Sequence, residues 1–140
     1  MPEHSLFVLD THIWIWFMDK ADVLSQTIVD RINEAAQQRR IMIAAISFWE
    51  VCLLVQKNRI DFSKDVLAWL NDALLYPGLI TCPLTPAIAA ESCCLPDTFH
   101  GDPADRLIVA TARIEKAILL TRDKDILNYG SLGHVKVLAA

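Results

Sequence analysis

Short apolar segments alternate with longer segments of helical periodicity along this chain. The apolar runs at 6–9, 41–44, 79–81, 117–120 and 135–138 have the length of buried strands. Between the first two runs, Leu24, Ile28 and Ile32 recur at the spacing of one helix face. Strands that alternate with helices pair in parallel through crossover connections. The pattern therefore predicts an α/β fold, a three-layer α/β/α domain with a central, mainly parallel five-stranded sheet.

Polar residues and prolines mark the predicted starts of the helices. Ser25, Ser47 and Ser63 are candidate N-caps, and Thr85 and Asp102 are each followed by a proline. The helix after position 63 is expected to turn one apolar stripe inward, namely Val66, Leu67, Leu70 and Leu74. An aromatic segment at 11–18 follows the first strand and is expected to form the entry helix.

The composition indicates one globular domain that spans residues 1–140. The 140 residues are 54% hydrophobic and 21% charged, which excludes a disordered chain, a collagen-like chain and a charged coiled coil. A chain of this length buries about two thirds of its unfolded surface, enough for one core. No apolar run reaches membrane-spanning length, and positions 1–4 lack the layout of a signal peptide. We therefore expect a cytoplasmic protein with no membrane association.

The net charge limits how this protein could bind nucleic acid. At −4 it is opposite to that of proteins that bind by general phosphate neutralisation. A nucleic-acid role would have to depend on a local basic rim or on bound metal ions. The four cysteines lack zinc-ligand spacing, and they are expected to be reduced and mostly packed thiols.

Acidic residues occur where the predicted strands end. Asp10 directly follows the first strand, Glu50 lies in the first turn of the helix after the second, and Asp123 follows the fourth. Asp102 and Asp105 begin the helix that leads into the fourth strand. Ligands of open parallel sheets bind outside the carboxyl ends of the strands. These side chains are therefore expected to converge on one cleft.

Each acid also has a purely structural interpretation. Asp10 and Asp123 could be N-caps, and the pairs Ser47–Glu50 and Asp102–Asp105 have the spacing of capping boxes. The combination favours a site, because several carboxylates in one cleft repel one another unless a cation neutralises them. A set of oxygen ligands without histidine or cysteine suits Mg²⁺ or Mn²⁺. His12 is interpreted mainly as a polar residue of the entry helix.

Four motifs resemble those of PIN-domain ribonucleases, and more closely those of VapC-type toxins of bacterial toxin–antitoxin systems. They are Leu9-Asp10-Thr11-His12, Ser47-Phe48-Trp49-Glu50-Val51, His100-Gly101-Asp102-Pro103-Ala104-Asp105-Arg106 and Leu120-Thr121-Arg122-Asp123. They come in the order of the family and cover almost the whole chain. Ala104 stands where the subgroup often has phenylalanine, which removes no carboxylate.

The resemblance implies a Mg²⁺- or Mn²⁺-dependent endoribonuclease that hydrolyses RNA phosphodiester bonds. The implied catalytic and metal-binding residues are Asp10, Glu50, Asp105 and Asp123, with Asp102 as a further candidate ligand and Thr11 as a supporting hydroxyl. The candidates for a basic rim that binds RNA are Arg59, Arg106, Arg122 and Lys124. The resemblance also implies a homodimer and a cognate VapB-like antitoxin that covers the cleft. Trp14, Trp16 and Trp69 are compatible with such an interface, and equally with a core.

Three alternatives remain open at this point. The same chemistry could belong to a housekeeping RNA-processing nuclease, and the fold could serve a non-catalytic interaction module. A phosphoaspartyl enzyme of the haloacid-dehalogenase type is disfavoured, because it would want an acid where this chain has His12. The complete acidic quartet disfavours the non-catalytic module.

Overall fold

The computed structural model describes residues 5–140, which contain one five-stranded sheet with every neighbouring pair of strands parallel. In chain order the strands are β1 (Phe7–Leu9), β2 (Ile41–Ala44), β3 (Leu79–Cys82), β4 (Ile118–Thr121) and β5 (Lys136–Ala139). They lie side by side in the order β3-β2-β1-β4-β5. The predicted α/β class with a five-stranded sheet is confirmed.

Seven helices connect the strands in the described part of the chain. They are α1 (Thr11–Met18), α2 (Gln26–Gln37), α3 (Ile46–Gln56), α4 (Val66–Leu74), α5 (Pro86–Cys93), α6 (Pro103–Glu115) and α7 (Lys124–Ser131). None of these helices has both the length and the apolar character that crossing a membrane requires.

The two faces of the sheet are buried in separate hydrophobic clusters. In β1, Phe7 and Leu9 point into one cluster and Val8 into the other, because successive side chains of a strand alternate. Helices α1, α2 and α4 contribute most of the first cluster, and α5, α6 and α7 most of the second. The result is the expected three-layer arrangement, in which strands buried on both sides are almost entirely apolar.

The strand order places a cleft above the middle of the sheet. The chain runs from β1 through β2 to β3 on one side, and then returns to add β4 and β5 on the other side of β1. Such a reversal between β1 and β4 is the topological switch point at which open α/β sheets bind ligands. The residues after β1 and β4, Asp10 and Asp123, lie at this point.

Two predicted N-caps are wrong. Helix α3 begins before Ser47, and its cap position, Ala45, makes no side-chain hydrogen bond. Helix α4 is capped by Asp65, whose Oδ1 accepts the Ala68 N–H at 2.9 Å, and Ser63 lies outside it. Before α4, Ser63 and Asp65 are both able to cap, so residue type alone does not select the cap; α3 follows the apolar strand β2 directly and starts without a side-chain cap.

The buried stripe of α4 also differs from the prediction. Leu67 is 64% exposed, whereas Trp69, Leu70 and Ala73 are buried. Nearly every position from 66 to 70 is apolar, so the periodicity allows two overlapping stripes. Trp69 packs edge-on against Trp14 at a centroid distance of 5.2 Å, and this contact decides which stripe faces the core. Trp14 and Trp69 are thus core residues and not interface surface.

Candidate active site

Asp10 is the central acid of the cleft and is buried at the carboxyl end of β1. Its Oδ1 accepts the backbone N–H of Thr11 at 2.8 Å, which caps α1. Its Oδ2 accepts the Thr121 hydroxyl at 2.6 Å. The same hydroxyl oxygen accepts the Asp123 N–H at 3.0 Å. A single buried hydroxyl at the end of β4 therefore connects the acids that follow two adjacent strands.

Asp123 and Asp102 also cap helices while they face the cleft. Asp123 Oδ1 accepts the Ile126 N–H at 3.1 Å at the start of α7. Asp102 Oδ1 accepts the Asp105 N–H at 2.8 Å at the start of α6. An ionised carboxylate has two acceptor oxygens, so one can cap a helix while the other stays free for a ligand. The capping and site interpretations of these acids are therefore compatible.

Glu50 is held from the side by the entry helix. The Thr11 hydroxyl donates to Glu50 Oε1, and it lies 2.9 Å from the hydroxyl of Ser47. Thr11 and Ser47 are both fully buried. The expected capping box between Ser47 and Glu50 is therefore wrong, because Ser47 faces Thr11 across the interface of α1 and α3. The spacing reflects a site contact and not a helix start.

Asp105 lies in the first turn of α6, beside Gly101. A Cβ atom at Gly101 would come within 2.8 Å of Asp105 Cβ and 2.3 Å of the Phe99 ring. Only glycine fits at this close approach. Ligand atoms of Glu50, Asp102 and Asp105 all lie within 4.8 Å of one another. A group of oxygen donors at this separation can hold one divalent cation.

Burial and the neighbouring acids shift the pKa values of the carboxyl groups in the cleft. Burial, and then repulsion from the neighbouring acids, raises the pKa of Asp105 to about 7. Burial also raises the pKa of Asp10 and of Glu50, and their hydrogen bonds to Thr121 and Thr11 oppose the rise. Each shift means that the folded protein pays to keep the carboxylate charged. Positive charge bound among these acids would lower that cost.

The acids form the floor of an open cleft of about 660 Å³. Helices α1 and α3 contribute its walls, which include His12 and Trp16 from α1 and Trp49 from α3. Cationic side chains lie at the edge: Lys57, Arg59 and Arg122. The cleft thus joins an anionic floor to an aromatic and basic rim.

The four predicted rim residues differ in position. Arg59 and Arg122 line the cleft, whereas Lys124 is exposed outside it. Arg106 does not line it either, because its guanidinium donates to the carbonyl oxygens of Ser92 and Phe99 at 3.1 Å each. Arg106 therefore ties α6 to α5 and its following loop, which places its guanidinium away from the cleft that the predicted basic rim was to surround.

Arg122 has both a structural role and a place on the cleft. Its guanidinium donates to the backbone oxygens of Ala140 and Val23 at 2.7 and 2.8 Å, and lies 5.1 Å from the ring centroid of Trp16. These contacts fix the segment between Thr121 and Asp123 against α1.

Three residues received no role in the sequence-based assignment: two that line the cleft and one, Thr121, that is buried behind it. Trp49 appears in the quoted motif with Glu50 but received no role, yet it is 52% exposed and lines the cleft. Lys57 also received no role, although it is the C-cap residue of α3, about two turns after Trp49, and lines the cleft. Thr121 belongs to a quoted motif but received no role. The i, i+4, i+8 spacing from Trp49 to Lys57 was the available signal.

Comparisons with known proteins agree with this architecture. The model of the PIN domain family matches residues 7–132. Ribonuclease VapC22 of Mycobacterium tuberculosis is 37% identical over 117 residues, which cover 84% of this chain and 86% of that relative.

Two solved structures share the fold. One is VapBC2 from Rickettsia felis bound to a DNA fragment from their promoter, with a TM-score of 0.71, 18% identity and coverage of 96% of this chain and 98% of that chain. The other is DNA-bound VapBC from Salmonella typhimurium, with a TM-score of 0.69, 16% identity and coverage of 96% and 98%. The family match over residues 7–132 and the 37% identity show that this chain belongs to the PIN domain family.

Proposed function

We propose that this protein is a VapC-type endoribonuclease, the toxin of a toxin–antitoxin pair, which hydrolyses RNA phosphodiester bonds in the cytoplasm. The observation that carries the proposal is the convergence of five carboxylates on one cleft, in a chain 37% identical to a ribonuclease. The catalytic set we propose is Asp10, Glu50, Asp105 and Asp123, with Asp102 beside them. The whole of residues 1–140 would form the single PIN domain.

The donor set fits a divalent cation. Glu50, Asp102 and Asp105 offer oxygen atoms alone, within 4.8 Å of one another, as Mg²⁺ or Mn²⁺ prefers. Asp10 and Asp123 lie close enough to raise the pKa of Asp105 by charge repulsion, so a cation bound at Asp105 would also attract these two carboxylates. When bound, the cation would stabilise the charge that develops on the phosphodiester and lower the pKa of a water molecule.

The hydroxyl groups of Thr121 and Thr11 orient two of the acids and favour their charged form, which a cation requires. Thr121 donates to Asp10 and Thr11 donates to Glu50, and hydrogen bonds to a carboxylate favour its charged form. Both hydroxyl groups are fully buried, so they keep the two carboxylates oriented without competition from water. Thr11 is thus the supporting residue of the proposal, and we add Thr121 to it.

The proposed protein partners are a VapB-like antitoxin and a second copy of this chain. The named structures with this fold include complexes of VapB with VapC, and their likeness to this chain supports an antitoxin that covers the cleft. The same resemblance supports a homodimer. Arg59 and Arg122 would contribute to RNA binding at the rim.

Substitution of Asp10 by asparagine tests the proposed nuclease. Asp10→Asn keeps oxygen and nitrogen atoms for the bonds to Thr11 and Thr121, so the fold should persist while cleavage of RNA in Mg²⁺ or Mn²⁺ is lost. Asp125→Asn is the matched control, because Asp125 is exposed in the first turn of α7 outside the cleft lining. Cleavage by purified Asp10→Asn at the rate of the control would refute the assignment.

A further inference from the structure

The two helical walls of the cleft carry different side chains from its acidic floor. Trp49 and Leu53 on α3 and Lys57 at its C-cap are spaced by four residues, and all three line the cleft. On α1, the rings of His12 and Trp16 lie 5.6 Å apart and also line it. Aromatic groups therefore lie on both walls of the cleft, beside the carboxylates. A cation, Lys57, lies at the C-terminal end of α3.

Trp49 is more exposed to solvent than tryptophan side chains usually are in folded proteins. Its side chain is 52% exposed, whereas Trp14 and Trp69 are almost completely buried. Trp49 makes no ring contact with another aromatic residue of the described chain. Because an indole has a large apolar face, leaving it in water forgoes the stabilisation that burial would bring. A flat apolar group that enters the cleft would cover it.

The cations next to Trp49 indicate the charge of that group. Lys57 and Arg59 are exposed, and neither side chain forms a hydrogen bond or an ion pair with any residue in the range 5–140. Positive charge beside an aromatic face is the combination that binds single-stranded nucleic acid, with phosphates on the cations and bases on the ring. A purely apolar peptide would leave both cations without partners.

Building on the proposed nuclease function, we infer that Trp49 stacks on an unpaired nucleobase next to the scissile phosphate. Lys57 binds a phosphate further along the same strand, and the His12–Trp16 pair closes the opposite wall. In duplex RNA the bases are stacked and paired, so their faces cannot reach the indole. Trp49 is therefore a residue that selects unpaired RNA.

Three variants test this inference. Trp49→Leu removes the aromatic face and keeps an apolar side chain, and Trp49→Phe keeps a smaller aromatic face. Leu67→Ala is the control, since Leu67 is 64% exposed on α4 and does not line the cleft. A labelled RNA of about 15 nucleotides, long enough to fill such a site, is used unpaired or annealed to its complement. Fluorescence polarisation is measured in an Asp10→Asn background, and cleavage kinetics in the otherwise unchanged chain.

Trp49→Leu should weaken binding of the unpaired RNA by about tenfold, the loss expected for one stacked base. KM should rise by a similar factor with kcat nearly unchanged, because the stacking contact stabilises the bound substrate and the transition state equally. Trp49→Phe should retain most of the affinity, and Leu67→Ala all of it. Lys57→Gln should lower the slope of log affinity against log salt by about 0.7.

Unchanged affinity of Trp49→Leu for unpaired RNA would overturn the inference. An equal loss for duplex and unpaired RNA would also overturn it, as would a loss confined to antitoxin binding, which would make Trp49 a protein contact. If the unsubstituted protein fails to cleave RNA, the proposed function falls, while the polarisation measurement still decides whether Trp49 binds unpaired RNA.

Discussion

Asp105 offers the most direct test of the electrostatics in the cleft. Burial and the neighbouring acids raise its pKa from the ordinary value of 3.8 to about 7. The folded protein therefore holds a proton on Asp105 between about pH 4 and pH 7, where the unfolded chain has already lost it. Since the folded state binds more protons in this range, the contribution of Asp105 to the free energy of unfolding falls as pH rises through it. Above about pH 7 Asp105 is ionised in both states, and the folded protein carries the full destabilisation from the buried charge.

The magnitude follows from the pKa difference. At about 1.4 kcal/mol for each pKa unit, the rise to about 7 would correspond to about 4 kcal/mol. The Asp105 side chain is only partly buried, so screening by solvent reduces this figure to about 2 kcal/mol. Asp105→Asn removes the charge. Without metal, the variant should be about 2 kcal/mol more stable than the unsubstituted protein at pH 8 and nearly equal to it at pH 4.

Urea unfolding followed by circular dichroism, in EDTA at pH 4, 6 and 8, measures this difference. Asp22→Asn is the control, because Asp22 is an exposed acid in the loop before α2. It loses one charge as Asp105→Asn does, but should show little pH-dependent gain. A stability difference for Asp105→Asn that is absent at pH 8, or that does not change with pH, would refute the proposed charge repulsion.

Substitutions at three further positions separate the roles of neighbouring residues. Thr121→Val should lose most of the thermal stabilisation by Mn²⁺ while Thr121→Ser keeps it, because only a hydroxyl can donate to Asp10 Oδ2; melting curves with and without Mn²⁺ measure this. Arg106→Gln should lower the free energy of unfolding by about 1–3 kcal/mol, because two carbonyl oxygens lose their donor; RNA affinity, measured by polarisation, should stay the same. Asp102→Asn should keep α6 intact, since Asn caps about as well as Asp, but weaken Mn²⁺ binding in calorimetry, and an unchanged affinity would leave Asp102 as a cap alone.

The sheet was predictable because its three central strands, β1, β2 and β4, are buried on both faces. Runs such as 41–44 contain only apolar residues, and no helical stripe competes with them. The other strands begin and end within one residue of the predicted runs, and the parallel pairing follows from the helices between them. Helix starts were less accurate at Ser47, because α3 begins before it without a side-chain cap, and at Ser63, because the nearby Asp65 caps α4 instead.

The acids of the site were predictable for a different reason. Asp10 directly follows β1 and Asp123 comes two residues after β4, and the carboxyl ends of these strands share one edge, so chain order alone placed the two acids together. Arg106 shows the limit of that reasoning. A long cationic side chain can reach solvent or the backbone of a neighbouring segment, and its sequence position does not distinguish between them. Only the packing of α6 on α5 places the guanidinium against two carbonyl oxygens.

The amino-acid sequence by itself determined the class of fold, the parallel sheet and the set of acids at its carboxyl edge. These features follow from the periodicity of each segment and from the order of the segments, both of which are read directly along the chain. The tertiary structure decided what depends on contacts between distant segments. It joined Thr121 to Asp10 across 111 positions, and Thr11 to Glu50 across 39. It also buried Trp14 and Trp69 while it left Trp49 in the cleft. Burial of an aromatic side chain depends on which helices meet around it, and that is decided only when the whole chain packs.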